Sequence, residues 1–368
     1  MQYYYRNSAG DKTEIGLVDE LDVNDAGIVE IVLPPTIKHL YISDNFNLKS
    51  LVVPKGCRQI DCRNCRSLTE LVVEEGCEIL SCNNTAIKSL KVPNSCLSLK
   101  CNNTKLQELI VPKKCEILHA SNIGLTKITF LGGTEIINCS GNKLKELEIN
   151  EGCKKLDCYD NQIRGLIVPN SCEELNCHAN ELAVLLFSGK CRDINCDNNK
   201  LSSLVVPYGC TNISCFNNLL KKITLPEGCM YIDLSLNKSL SEIEVPKSAI
   251  EIDITNTAIE EIRLPERCQL IAGAQQHIKR FSIKQIIPSF GKTDKVISDL
   301  ILRIKNHTLR SIADQITKSI SDLKTDTKID IKQLKKLGNS NLTLGQMLSK
   351  KEGQALLKAN SSGFSIQD

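Results

Sequence analysis

The side chains in this sequence with the most chemistry to offer are its 19 cysteines. They are set on a ruler. Cys153 and Cys158 stand five residues apart, and Cys172 and Cys177 repeat the pair 19 residues further on. Thiolates bind zinc or act as nucleophiles, oxidised thiols staple chains, and neutral thiols fill cores as small apolar groups. Cys62-Arg-Asn-Cys65 is a CxxC pair suited to zinc or redox work, but a structural zinc site needs a second pair at short spacing, and none follows. His119 and His178 are the other candidates for proton or metal chemistry. Neither belongs to a Gly-rich phosphate loop, an HExxH pair or a nucleophile–base arrangement, so no catalytic residue is assigned.

The elements that place these cysteines come from an internal repeat. CKKLDCYDNQIRGLIVPN, CEELNCHANELAVLLFSGK, CRDINCDNNKLSSLVVPYG and CTNISCFNNLLKKITLPEG share one template. Cys stands first, Leu or Ile fourth, Cys sixth and Asn ninth, with apolar residues eleventh and fourteenth. The ninth place runs through Ala26, Asn45, Cys65, Thr85, Thr104, Ile123, Asn142, Asn161, Asn180, Asn199, Asn218, Asn237, Thr257 and Gln276, at intervals of 19 or 20. Ten cysteines fall in the first place and eight in the sixth, and Cys65 takes a ninth. Where Cys is missing, Ala120, Leu234 and Ile254 stand at the sixth place and Ala249 at the first. Packing tolerates that exchange and ligation does not, so the thiols are expected to form a buried core ladder with no metal and no cofactor.

LxxLxLxxNxL, with Cys in two of the Leu places, resembles the leucine-rich repeat. The stretch IVLPPTIKHLYISDNFNLKSLVVP (residues 31–54) resembles the short bacterial class found in the YopM and IpaH effectors. The fold implied is an α/β solenoid of short parallel strands with an extended, helix-poor return side, since 19 residues leave no room for a return helix. A cap over residues 1–20 should precede about fourteen coils over 21–287. At a strand spacing of about 4.8 Å they would form a curved rod roughly 65 Å long. Proline at the end of the LxVP segment favours an extended, polyproline-like return. The ninth-place Asn should tie coil to coil through backbone carbonyls. Cys65, Thr85 and Thr104 are weaker substitutes and Ile123 cannot donate, so the ladder should be firmer from Asn142 onward.

A partner of such a solenoid is expected on the concave face, built by the fifth and seventh places. From Ser81 to Ser140 these places are mostly small and polar. Beyond them they carry Asp157, Tyr159, Asn176, His178, Asn195, Asp197, Ser214 and Phe216, with Tyr231 at a third place nearby. Tyr159, His178, Phe216 and Tyr231 are the expected anchors and Asp157 and Asp197 the polar specificity groups, because exposed aromatics among hydrogen-bonding groups mark hot spots. His119 and His178 are three coils apart, roughly 14 Å, too far to share a proton or a metal.

After Pro288 the ruler stops and a helical period begins: Val296, Ile297, Leu300, Ile301 and Ile304, then Leu309 through Leu323. Residues 290–368 read as a basic helical bundle of net charge +6, against −3 for the other 289 residues. The IpaH ligase activity needs a catalytic cysteine in the C-terminal domain, and this region has none. The YopM class places its helices before the repeats rather than after. The sequence starts with no basic-then-apolar leader and holds no run of about eighteen apolar residues, so reduced thiols in an intracellular setting and no membrane span are expected. The sequons at Asn83 and Asn102 are expected to stay unmodified there. The resemblance implies a monomeric, non-enzymatic scaffold, a bacterial effector of the Legionella kind that binds a host protein. It would pass from the bacterial cytoplasm to the host cytosol. The alternative reading places an enzymatic, membrane-binding or nucleic-acid-binding activity in residues 290–368.

Overall fold

The computed structural model describes residues 2–266, 268–272 and 280–284. The helical bundle expected over 290–368 lies outside these residues. The chain divides into two compact units, residues 1–189 and 190–368. The described residues of each form a helix-poor, leucine-rich-repeat-like parallel-strand solenoid, with about 13 turns in all.

In the first unit each coil contributes one three-residue ladder strand: Glu20–Asp22, His39–Tyr41, Gln59–Asp61, Ile79–Ser81, Ser98–Lys100, Ile117–His119, Ile136–Asn138, Lys155–Asp157 and Glu174–Asn176. Each pairs in parallel with the next, always with equivalent template places opposite one another, as in Leu80↔Leu99 and Leu156↔Leu175. In front of them Tyr3–Asn7, Lys12–Ile15 and Ile28–Val32 form a three-stranded antiparallel sheet. The second unit continues the pattern with Asp193–Asn195, Asn212–Ser214, Tyr231–Asp233, Glu251–Asp253 and Gln269–Ile271. Its last coil corrects the expected register. Ile252 pairs with Leu270, an interval of 18, so Leu270 and Ala272 face inward and not Ile271.

Three residues suffice for a strand because the fourth and sixth places point to one side and the fifth to the other. Leu156 and Cys158 are fully buried while Asp157 is half-buried. The return segments are extended as the prolines require. Neighbours also join as short parallel pairs, such as Ser50–Val53 with Glu70–Val73 and Gly165–Val168 with Val184–Phe187 in the first unit. Ser203–Val205 with Lys222–Thr224 is one in the second.

All 19 cysteines are buried in the core. First-place thiols point at the carbonyl two residues on, as from Cys115 Sγ to Ile117 O at 3.4 Å and Cys210 Sγ to Asn212 O at 3.4 Å. That bond gives the S–H a partner, which is why Cys suits this place better than a larger apolar residue. Burial pushes the Cys57, Cys65 and Cys115 thiols up to about 11 and those of Cys77 and Cys139 up to about 12. At neutral pH they are protonated and poor nucleophiles.

Candidate functional site

The ninth-place asparagines supply the rigidity of the ladder. Asn161 Nδ2 donates to Cys139 O of the preceding coil at 3.1 Å and to Cys158 O of its own at 3.1 Å, while its Oδ1 accepts from Leu144 N at 3.0 Å. Asn180 repeats this with Cys158 O, Cys177 O and Ile163 N. In the second unit Asn218 and Asn237 do the same. Thr85 and Thr104 reach only the carbonyl three residues back, in their own coil. Their hydroxyl, on a short stem, does not span to the preceding coil, whereas Cys65 Sγ does reach Ile42 O there at 3.2 Å, through the weaker S–H donor.

On this frame the first unit brings Asp157, Tyr159 and His178 together. The Tyr159 and His178 rings, one coil apart at the seventh place, stack with centroids 4.6 Å apart and planes 6° from parallel. Strand spacing sets that distance. His178 is held from behind: its Nδ1 lies 2.8 Å from Asn176 Oδ1, which can only accept, so Nδ1 carries the proton. Asp157, the last residue of its strand, stands two residues before Tyr159. Across the ladder Asp157 lies in register between Asn138 and Asn176. Lys155, on the same strand, is paired with Glu174 at 3.0 Å. His119 is half-buried, and burial, helped by the Lys100 charge, lowers its pKa so that it stays neutral at pH 7.

In the second unit Asp197 Oδ1 accepts from Phe216 N at 2.8 Å and from Ser214 Oγ at 2.6 Å. Asp197 thus positions the next coil rather than standing ready for a partner. Phe216 is half-buried beside it. Tyr231 is 50% exposed, in register with Asn212. It is therefore four strand positions, roughly 13 Å, from the level of Phe216 and does not join it.

Sequence reasoning missed two features. The fifteenth template place carries exposed apolar residues on the return side: Val52, Val72, Ile110, Ile167 and Leu186 in the first unit and Val205 in the second. The eighth place has positive φ in coil after coil, for instance Asp44 at 62°, Asn84 at 58° and Asn198 at 53°. A run of Asn, Asp and Gly at that place was the available signal. Among the described residues no three or more His, Cys, Asp or Glu side chains gather to hold a metal ion. No helix there is long and apolar enough to cross a membrane.

No family model matches the sequence, nor does any curated protein. Solved structures do. The functional domain of InlJ from Listeria monocytogenes, whose structure includes a cysteine ladder, matches with a TM-score of 0.51 at 19% identity over 81% of this chain and 75% of its own. The fold is that of a leucine-rich repeat protein. YopM from Yersinia enterocolitica matches with a TM-score of 0.43 and 18% identity over 69% of this chain and 84% of its own. YopM from Yersinia pestis gives 0.45 and 21% over 72% and 76%. The structural neighbours are thus bacterial leucine-rich repeat proteins.

Proposed function

We propose that this leucine-rich repeat chain is a non-catalytic scaffold that binds a protein partner on the outward ladder face, as a bacterial effector engaging a host protein. The observation that carries the reading is the Tyr159–His178 stack. It sets two rings on the turns just after two ladder strands, where Asn161 and Asn180 bond the backbone of the ring-bearing residues. Rigid rings contribute contact area at small entropy cost. The buried thiols, kept protonated, fit a reducing cytosol, first the bacterium's and then the host's.

The test is capture from host lysate on the immobilised full chain, followed by titration of the captured protein against variants. Tyr159→Ala should weaken binding by at least about 2 kcal/mol, the usual hot-spot threshold, with thermal stability nearly unchanged. Phe216→Ala, made separately, reports on the second unit. Full affinity in both variants for a partner that needs the repeats would move the surface to the return side. A partner that binds residues 290–368 alone, or that is chemically altered by them, would favour the alternative reading.

A further inference from the structure

Asp157 stands out among the outward groups of the first unit. Its neighbours at the same place, Asn138 and Asn176, spend their side-chain oxygens inside the ladder. Asn138 Oδ1 accepts from Ser140 Oγ at 2.7 Å, and Asn176 Oδ1 meets His178. Asp157 accepts no side-chain bond among the described residues, and Lys155 on its strand, bonded to Glu174 at 3.0 Å, acts on it only as a neighbouring charge. Beside it Tyr159 has one ring face covered by His178. On the other side the seventh place of the preceding coil holds the buried Ser140, too small to cover a ring. An anchored aromatic face and an unspent carboxylate therefore stand two residues apart, Asp157 at the end of its strand and Tyr159 on the turn that follows.

We propose that this pair takes the guanidinium of an arginine side chain from the protein partner, stacked on the open face of Tyr159 and bridged fork-to-fork to Asp157. The inference rests on the scaffold reading above and names the partner's chemistry. Arginine fits because its flat, weakly hydrated cation both stacks on aromatic rings and pairs two N–H donors with one carboxylate. Lysine has the charge but not the plane. Small neighbours leave room for the flat group, and His119, neutral at pH 7, adds no competing cation.

The probe is the peptide acetyl-Gly-Arg-Gly-amide, titrated into the full chain while the Tyr159 ring resonances are followed by NMR, with acetyl-Gly-Lys-Gly-amide as its control. The arginine peptide should give a saturable shift, and the lysine peptide should bind at least about tenfold more weakly. Asp157→Asn and Tyr159→Leu should each cost about tenfold, while Tyr159→Phe, which keeps the ring, should stay within about threefold. Equal binding of the two peptides to the unmodified chain overturns the proposal without reliance on any variant. So does full affinity in a folded Asp157→Asn protein. A captured partner that depends on Tyr159 but is not displaced by the arginine peptide would sink this inference and leave the scaffold reading standing. Capture that does not depend on Tyr159 would sink this inference as well and move the scaffold's binding surface elsewhere on the repeats.

Discussion

From Asn142 to Asn180, three successive coils of the first unit are tied by buried asparagines that bond both to their own coil and to the one before. From Cys65 to Ile123, four coils lack that residue. The second stretch has its own tie, one place earlier in the template. Asn64 Nδ2 donates to Asp44 Oδ1 at 2.9 Å, Asn84 to Asn64 at 2.7 Å and Asn103 to Asn84 at 2.8 Å. In the Asn-complete stretch the eighth places are Gly141, Asp160 and Ala179, and no such chain of amides runs through them. Moving the tie by one residue moves it from the core to the rim. A buried bond protects backbone groups that have no other partner, whereas a rim bond competes with water. Two ladders of like geometry should therefore differ in strength.

The largest effect that sharpens this comparison is expected at Asn161. Asn161→Ala strands Leu144 N in the core and takes one of two amide donors from the Cys139 carbonyl, which keeps Asn142, and should cost about 2–3 kcal/mol. Thr85→Ala removes one bond within a single coil and should cost about 1 kcal/mol. Urea unfolding gives both values, and amide exchange at Leu144 localises the first. Equal costs would erase the distinction between the stretches. Next comes Cys158→Ser, which puts a strongly polar hydroxyl where a thiol is fully buried and should cost about 1–3 kcal/mol.

These stretches also show what was legible in the sequence and what was not. The 19-residue ruler decided which side chains enter the core, because every slot but that of Thr134 was filled by Cys or an apolar residue. Asn142 to Asn237 announced the buried ladder in the same way. The slip at Leu270 was hidden, since Ile271 is equally apolar and only pairing with Ile252 decides between them. The rim ladder was hidden because its residues are polar and half-buried or exposed, as those of loops are. At the candidate site the outward direction of Tyr159 and His178 followed from strand alternation. The stack, the pinning of His178 and the different duties of Asp157 and Asp197 depend on hydrogen bonds that no periodicity encodes.

Alkali should act on the cysteines common to both stretches. Their folded pKa values, about 11 for Cys57 and about 12 for Cys77 and Cys139, lie above the ordinary thiol value near 8.5. A raised folded value means that folding favours the protonated thiol. That stability is fully present below the unfolded value and is lost as pH climbs through the folded one. Melting temperature should hold from pH 7 to about 8 and fall steadily between about 9 and 12. A flat profile through that window would show that the thiols are not buried as described.

Thr134 interrupts the first-place cysteines between the two stretches, and its buried Oγ1 has no hydrogen-bond partner. Thr134→Val keeps the shape and removes the orphan, so it should stabilise the chain by about 1 kcal/mol in urea unfolding. Destabilisation would mean that the hydroxyl does have a partner, and the site would cease to be a weak point of the core.

The smallest effect belongs to the rim ladder and needs the most careful variant. Asn84→Ala would confound two losses, because Asn84 has φ 58° and alanine resists that conformation. Asn84→Gly accepts the backbone and deletes only the amide, with some added freedom in the unfolded chain. It removes the bonds to Asn64 and from Asn103, both partly open to water. A cost of about 0.5–1 kcal/mol is expected, well below that of Asn161→Ala. If Asn84→Gly cost as much as Asn161→Ala, the amide chain at the rim would act cooperatively. The Asn-poor stretch would then be as firmly tied as its neighbour, by side chains that water reaches.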